Sequence, residues 1–267
     1  MCWAVPLHFQ RLVWEVQDAA PDVTIDRKQD MKAAIYSARA ILLGGSALIA
    51  QACVPVTPEQ VFSRASRSVV IVYAADSDQK IVGRGSGVVV AQDLLVTNCH
   101  VIARGKIFLA GRRQERVRAR LVAYDGDQDL CALVARGLDV APARMGDADA
   151  VRVGQRVYAV GTPEGFELTF SEGIISGLRE AASGRYVQIT APISEGSSGG
   201  GLFDSEGRLI GITTFIFSPG QNLNFAAPAD WVLDLATKAS RASGEGTAPE
   251  IELPPSMTTQ WRHPLLK

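Results

Sequence analysis

The chain has 267 residues, 47% of them apolar and 21% charged, with a formal net charge of -1. That is enough apolar material for one or two packed domains of a soluble globular protein. The near-zero charge excludes a dedicated nucleic-acid binder, and the one basic cluster, GRRQERVRARL at 111–121, reads as the solvated face of an exposed strand rather than a phosphate grip.

Taken in chain order, residues 31–53, MKAAIYSARAILLGGSALIAQAC, have the layout of a secretory signal. Lys32 and Arg39 form a basic start, Ala40 to Ala50 an uncharged apolar run, and Ala50-Gln51-Ala52 a small-residue cleavage site. The run is far short of the ~20 residues of a spanning helix. Residues 1–30 do not belong in front of a signal, so Met31 is read as the true start and 1–30 as a leader that is not translated. Cleavage after Ala52 leaves Cys53 first, where a bacterial lipoprotein carries its lipid, although a lipobox usually has Leu where Ala50 stands. The expected product is exported, periplasmic or secreted. It meets a membrane only if Cys53 is lipidated or the signal stays on. The domain layout is then signal 31–52, linker 53–61, one domain over 62–240 and an exposed tail over 241–267.

After residue 66 short β-type runs are cut by Gly, Asp and Ser turns: SVVIVYAA, GSGVVVA, DLLVTNCHVI, KIFLAG, RARLVAYD and DLCALVA, then QRVYAVG, FELTFSEGIISGL, RYVQITAPI, RLIGITTFIF and LNFAAP. About a dozen such strands without intervening helical segments predict an all-β barrel or sandwich architecture. One helix is predicted near the end, in PADWVLDLATKAS, with Pro228 at an early helical position, Trp231 and Leu235 four apart and a stop at Gly244.

APISEGSSGGGLF (191–203) holds the chemistry. Gly196, Ser198 and Gly200 satisfy both the GxSxG elbow of α/β-hydrolases and the GxSGG loop of chymotrypsin-like proteases, while a plain glycine-serine turn is the bland alternative. A serine nucleophile needs a base, and that base an orienting group. Of the three histidines, His8 lies in the leader and His263 in the tail, which leaves His100. It precedes Ser198 by 98 residues, opposite to the α/β-hydrolase order. Asp129, immediately before a strand, is the candidate acid. Asp125 and Asp127 read as solvated turn residues.

The segments GSGVVVAQDLLVTNCHV, DGDQDLCALV, AVGTPEGFELTFSEGIISGL, ISEGSSGGGLFDSEGRLIGITTF and LNFAAPADWV resemble, in order and spacing, the core of the HtrA-type trypsin-like serine proteases over roughly 62–235. The resemblance implies two six-stranded antiparallel β-barrels with the active site between them, His100 and Asp129 from the first and the serine from the second. The expected departure from that family is the absence of a PDZ-like domain after the protease, for which the tail has no room.

Within the loop the register favours Ser198 as nucleophile, with the backbone amides of Gly196 and Ser198 as the oxyanion hole. Choosing Ser197 would put Glu195 where a tight turn wants no Cβ. Ser197 is then a loop residue. Its neutral hydroxyl cannot play the part of the Asp that precedes the nucleophile in zymogen-activated relatives, so the IVGR at Ile81 is not expected to be an activation site. By the family register Ile193, Ile216 and Phe217 line the primary pocket and favour a small or medium apolar side chain; plain barrel core is the alternative. Pro192 stands where Arg/Lys-specific relatives keep an acid. The family fold also brings together the strands of Cys99 and Cys131, so in an oxidising compartment a disulfide would clamp His100 to Asp129, with two buried thiols as the alternative.

No Cys or His cluster points to zinc, and no cofactor is expected. The reading is a serine endopeptidase acting on protein or peptide substrates. A catalytically silent peptide-binding protein and an esterase on the same fold are the alternatives. The sequence leaves the oligomeric state open.

Overall fold

The computed structural model describes residues 55–112, 115–163, 168–216, 223–243 and Leu253. The expectations for 1–52, Cys53, Phe217 and, Leu253 apart, the tail beyond Ser243 lie outside the described residues. The chain enters through helix α1, Pro58–Ala65, which takes over part of the segment read as linker. Thr57 and Gln60 cap it reciprocally, each side chain accepting from the other's backbone N–H, and Pro58 fits the first turn, whose N–H has no helical partner anyway.

Six strands follow: β1 Val69–Ala75, β2 Ile81–Ala91, β3 Leu94–Asn98, β4 Ile107–Arg112, β5 Glu115–Asp125 and β6 Leu130–Val134. They close as a barrel in the order β1-β2-β3-β6-β5-β4, with every pair antiparallel. One helical turn, α2 Cys99–Ile102, interrupts the run read as a single strand ending in His100. The second barrel repeats the topology with β7 Arg156–Gly161, β8 Thr169–Ala181, β9 Gly184–Ile189, β10 Gly201–Phe203, β11 Leu209–Ile216 and β12 Asn224–Pro228, ordered β7-β8-β9-β12-β11-β10. The fold is thus two closed six-stranded antiparallel barrels. Helix α3, Ala229–Ser243, ends the described chain. Pro228 belongs to β12 rather than to the helix, because it still pairs with Gly211 across the ladder.

Strand alternation sorts the side chains into three cores. Val70, Val72, Leu95, Leu121 and Leu133 fill the first barrel, and Val157, Ile175, Val187, Ile189 and Leu202 the second. The opposite faces of the same strands, with Val88, Leu94, Val96 and Leu130 from the first barrel and Tyr186, Phe203, Leu209 and Phe215 from the second, form a third core between the barrels, which α3 completes with Val232, Leu235 and Ala239. Leu253, in the segment read as an exposed tail, is half-buried against the first-barrel core. An apolar side chain within reach of a barrel interior is pinned there by the area it buries.

Candidate active site

β3 delivers the chain to Asn98, and α2 then turns His100 back toward β6. The β3–β6 register pairs Asn98 with Leu130, so Asp129, the residue before β6, comes to lie beside the first turn of α2. One Asp129 carboxylate oxygen accepts from the His100 backbone N–H at 2.9 Å; the other lies 2.5 Å from His100 Nδ1. The Asp129 side chain is wholly buried while that of His100 is 30% exposed, so the imidazole alone reaches the cleft. With Nδ1–H donating to the carboxylate, Nε2 keeps its lone pair to accept a proton. Burial works to lower the His100 pKa, but the Asp129 charge and its hydrogen bond together outweigh it and hold the pKa above the ordinary imidazole value.

Asp129 adopts φ +55°, a left-handed conformation that costs a non-glycine residue about 1 kcal/mol. Its carbonyl accepts from Cys99 N–H at 3.1 Å and from Asn98 Nδ2 at 2.9 Å. Cys99 is in turn bonded to Cys131, the Cα atoms 5.0 Å apart. The neighbours of the histidine and of the acid are therefore joined covalently as well as by hydrogen bonds. Asp127 is exposed and Asp125 accepts from Gln128 N–H at 3.1 Å, both within the β5–β6 turn.

Ser198 lies in the loop between β9 and β10. Its hydroxyl donates to the Thr214 carbonyl at 3.1 Å, and the Thr214 hydroxyl lies 3.3 Å from Asn98 Nδ2. A continuous polar path thus runs from His100 through Asp129, Asn98 and Thr214 to Ser198, crossing from one barrel to the other. The loop is stitched by Ser197 N–H to Ser194 O at 2.9 Å, Gly199 N–H to Thr213 O at 2.8 Å and Gly200 N–H to Ser197 O at 2.9 Å. The amides between these, on Gly196 and Ser198, donate to no acceptor among the described residues. Gly196 has φ +87° and Gly199 φ +83°, a region open to glycine at no steric cost.

Two residues of this loop's support are illegible in the sequence. Ser197, read there as a plain loop residue, is buried; its Oγ accepts from Ser194 N–H at 3.2 Å and its carbonyl from Thr213 Oγ1 at 2.7 Å. Ser86 of β2 is wholly buried between the barrels. Its N–H donates to Ser198 O and its hydroxyl to Gly196 O, each at 2.8 Å, while Thr162 N–H donates back to that hydroxyl at 2.8 Å. The GSG triplet at 85–87 is the only signal that could have marked it, and glycines flanking a serine mark many tight strands.

Behind the loop a cavity of about 10 Å³ is lined by Ile193 together with Thr169, Ser171, Pro192, Ser197 and Thr213. Of the three residues expected to line a pocket, Ile193 is placed on this cavity. Ile216 ends β11 opposite Asn224, its side chain outside the described set, as is Phe217. Ile81 begins β2 as an internal strand residue, 46% exposed. Among the described residues no group of three His, Cys, Asp or Glu could hold a metal ion.

The family model of the trypsin-like peptidase domain matches residues 85–212. A probable periplasmic serine endoprotease, DegP-like, of Pseudomonas savastanoi pv. phaseolicola is 32% identical over 184 residues, 64% of this chain and 37% of that protein. The crystal structure of Deg5 superposes with TM-score 0.57 at 32% identity, covering 66% of this chain and 90% of that one. The HtrA-type protease AlgW with a tripeptide superposes with TM-score 0.63 at 31% identity, covering 68% and 62%. This chain spans between 25% and 38% of the length of the first curated relatives it matches. Shared barrels, shared segment order and this degree of identity place the chain in the trypsin-like serine protease family, as a member of HtrA type.

Proposed function

We propose that this chain is an exported serine endopeptidase that cleaves peptide bonds through an acyl-enzyme. The observation that carries the reading is the pairing of a buried, fixed carboxylate–imidazole couple with a serine flanked by two free backbone amides. Ser198 Oγ attacks the scissile carbonyl as His100 Nε2 takes its proton. The Gly196 and Ser198 amides stabilise the oxyanion, each such donor being worth about 3 kcal/mol in known cases. His100 then protonates the leaving amine, and water completes the cycle by the same route in reverse. The hydroxyl here donates to Thr214 O, and the attack requires it to donate to His100 Nε2 instead. Export accords with the Lys32-to-Ala52 pattern, with the name of the DegP-like relative and with a cystine beside the site. Protein and peptide substrates accord with the tripeptide held by AlgW.

The test is labelling with a fluorophosphonate, read by intact mass. The wild-type protein and Ser197→Ala should gain one adduct, and Ser198→Ala and His100→Ala none. An adduct that survives Ser198→Ala, or a folded wild type that stays unlabelled with and without added peptides, would overturn the assignment.

A further inference from the structure

Arg84 of β2 is an exposed cation whose side chain has no hydrogen-bond or ion-pair partner among the described residues. His100 must reach the departing amine, and His100 belongs to the first barrel, so the product half of the substrate leaves across that barrel next to α2. The strand alongside is β2. It approaches α2 so closely that a Cβ on Gly83 would come within 2.2 Å of Val101 O, and one on Gly85 within 2.7 Å of a Val101 methyl and 2.9 Å of Ser198 O. Arg84 lies between these two glycines and, by strand alternation, projects from the opposite face of β2, away from α2.

Strand periodicity puts Arg84 on the same face as Ser86, about 6.6 Å along the strand from the residue that holds the nucleophile loop. At Ser86 that face is covered by the second barrel; at Arg84 it is open to solvent. The Arg84 side chain makes no hydrogen bond or ion pair among the described residues. Its register partner across the ladder is Tyr73. The Arg116 guanidinium lies over the Tyr73 ring, 4.2 Å from its centroid, and bonds the phenol oxygen at 3.2 Å. Tyr73 also pairs with Leu109, and Leu109 with exposed Arg118, which has no ion-pair partner among the described residues either. The acids of β5, Glu115 and Asp125, sit at its two ends, away from this row.

We infer that Arg84, with the Arg116–Tyr73 stack beside it, forms a subsite that selects acidic residues on the leaving-group side of the cleaved bond. This rests on the endopeptidase reading above. An extended substrate presents alternate side chains to this face, and a carboxylate there finds one arginine without competing acids and a second held in place by an aromatic ring. Arginine suits the role because its planar fork can hold a carboxylate by two bonds at once. The strand-like run of arginines is then part of the cleft's specificity rather than a solvated surface alone.

The experiment uses two octapeptides that differ only in carrying Glu or Lys at the second and third positions after a central Ala–Ala bond. Labelled with fluorescein they are titrated into Ser198→Ala protein, and in internally quenched form they are given to the active enzyme. The Glu peptide should bind about fivefold more tightly, the size of one exposed ion pair or two, and the margin should shrink in about 0.5 M salt. Arg84→Gln should remove most of the margin and Arg84→Glu should invert it, with fluorophosphonate labelling unchanged in both. Equal binding of the two peptides, absence of binding, or a margin untouched by Arg84→Glu would overturn the subsite. A charge-dependent margin without turnover would keep the subsite and sink the endopeptidase reading; turnover without a margin would do the reverse.

Discussion

Ser86 carries more of the site than its size would imply. Its hydroxyl donates to Gly196 O and accepts from Thr162 N–H, so one oxygen fixes the loop that carries Ser198 against β2. Ser86→Ala leaves a carbonyl and an amide without their partner in a buried interface, a loss of about 1–3 kcal/mol. Because the loop then drifts relative to His100, kcat should fall by roughly tenfold or more with KM little changed, and the fall should persist at temperatures where melting curves show both proteins fully folded. A rate loss that vanishes once the protein is folded would reduce Ser86 to packing. The histidine gives a second residue-level prediction. With its pKa held above the ordinary ~6.5, kcat/KM should fall as pH drops through a value above 6.5, and Asp129→Asn should move that limb lower while costing about 10⁴ in rate. The stability linkage has the opposite sense. A folded-state pKa above the unfolded one means stability that is fully present below ~6.5 and lost as pH rises through the folded value. The difference in melting temperature between wild type and His100→Gln should therefore shrink as pH rises across the window in which activity appears; growth of that difference would contradict the pairing. His100 and Ser198 can be singled out in the sequence as candidates because chemistry restricts which residues could serve. Ser86 and Ser197 cannot, because hydrogen bonds between segments distant in sequence leave no mark on composition.

At the scale of elements, the cystine joins the start of α2 to β6, closing a loop of sequence separation 32 around the histidine and the acid. Loop-closure entropy for that length corresponds to roughly 3–4 kcal/mol. Cys99→Ala with Cys131→Ala should therefore lower the melting temperature markedly. The His100–Asp129 contacts rest on other bonds, to Asn98 and to the His100 backbone, so the double variant should keep most of its kcat at low temperature. A double variant as stable as wild type would show that the bridge constrains nothing; loss of all activity while folded would show that the hydrogen bonds cannot hold Asp129 in its left-handed conformation alone. Element types were readable in eleven of the runs as short β-type stretches cut by turns; in SVVIVYAA the signal is strongest, because β-branched residues flanked by turns have few other uses. β10 was not: its three residues, GLF, sit inside the glycine loop and become a strand only by pairing with Val160 and Ile212 on either side. Nor was α2, since a single turn of helix has no periodicity to read.

For the molecule as a whole, the decisive fact is that each barrel is capped by the other's end of the chain. α1, which leads into β1 of the first barrel, packs Phe62 edge-on against Phe170 of the second and bonds Glu206 O through Arg64. α3, which follows the last strand of the second barrel, packs across β5 and β6 of the first, and Lys238 reaches Asp125 at 3.7 Å. With the third core between them, neither barrel can unfold without exposing apolar surface that belongs to both. His100 and Asp129 lie on one side of this seam and Ser198 on the other, so a molecule that loses the seam loses the candidate site. Unfolding in urea should accordingly be a single transition, with near-ultraviolet dichroism, far-ultraviolet dichroism and fluorophosphonate labelling disappearing together. Leu235→Ala, at a fully buried α3 position, should cost about 2–5 kcal/mol and shift all three probes by the same amount. If labelling were lost well before the dichroism, the barrels would be separating as folded units, and the shared core would be a docking surface rather than the interior of one cooperative structure.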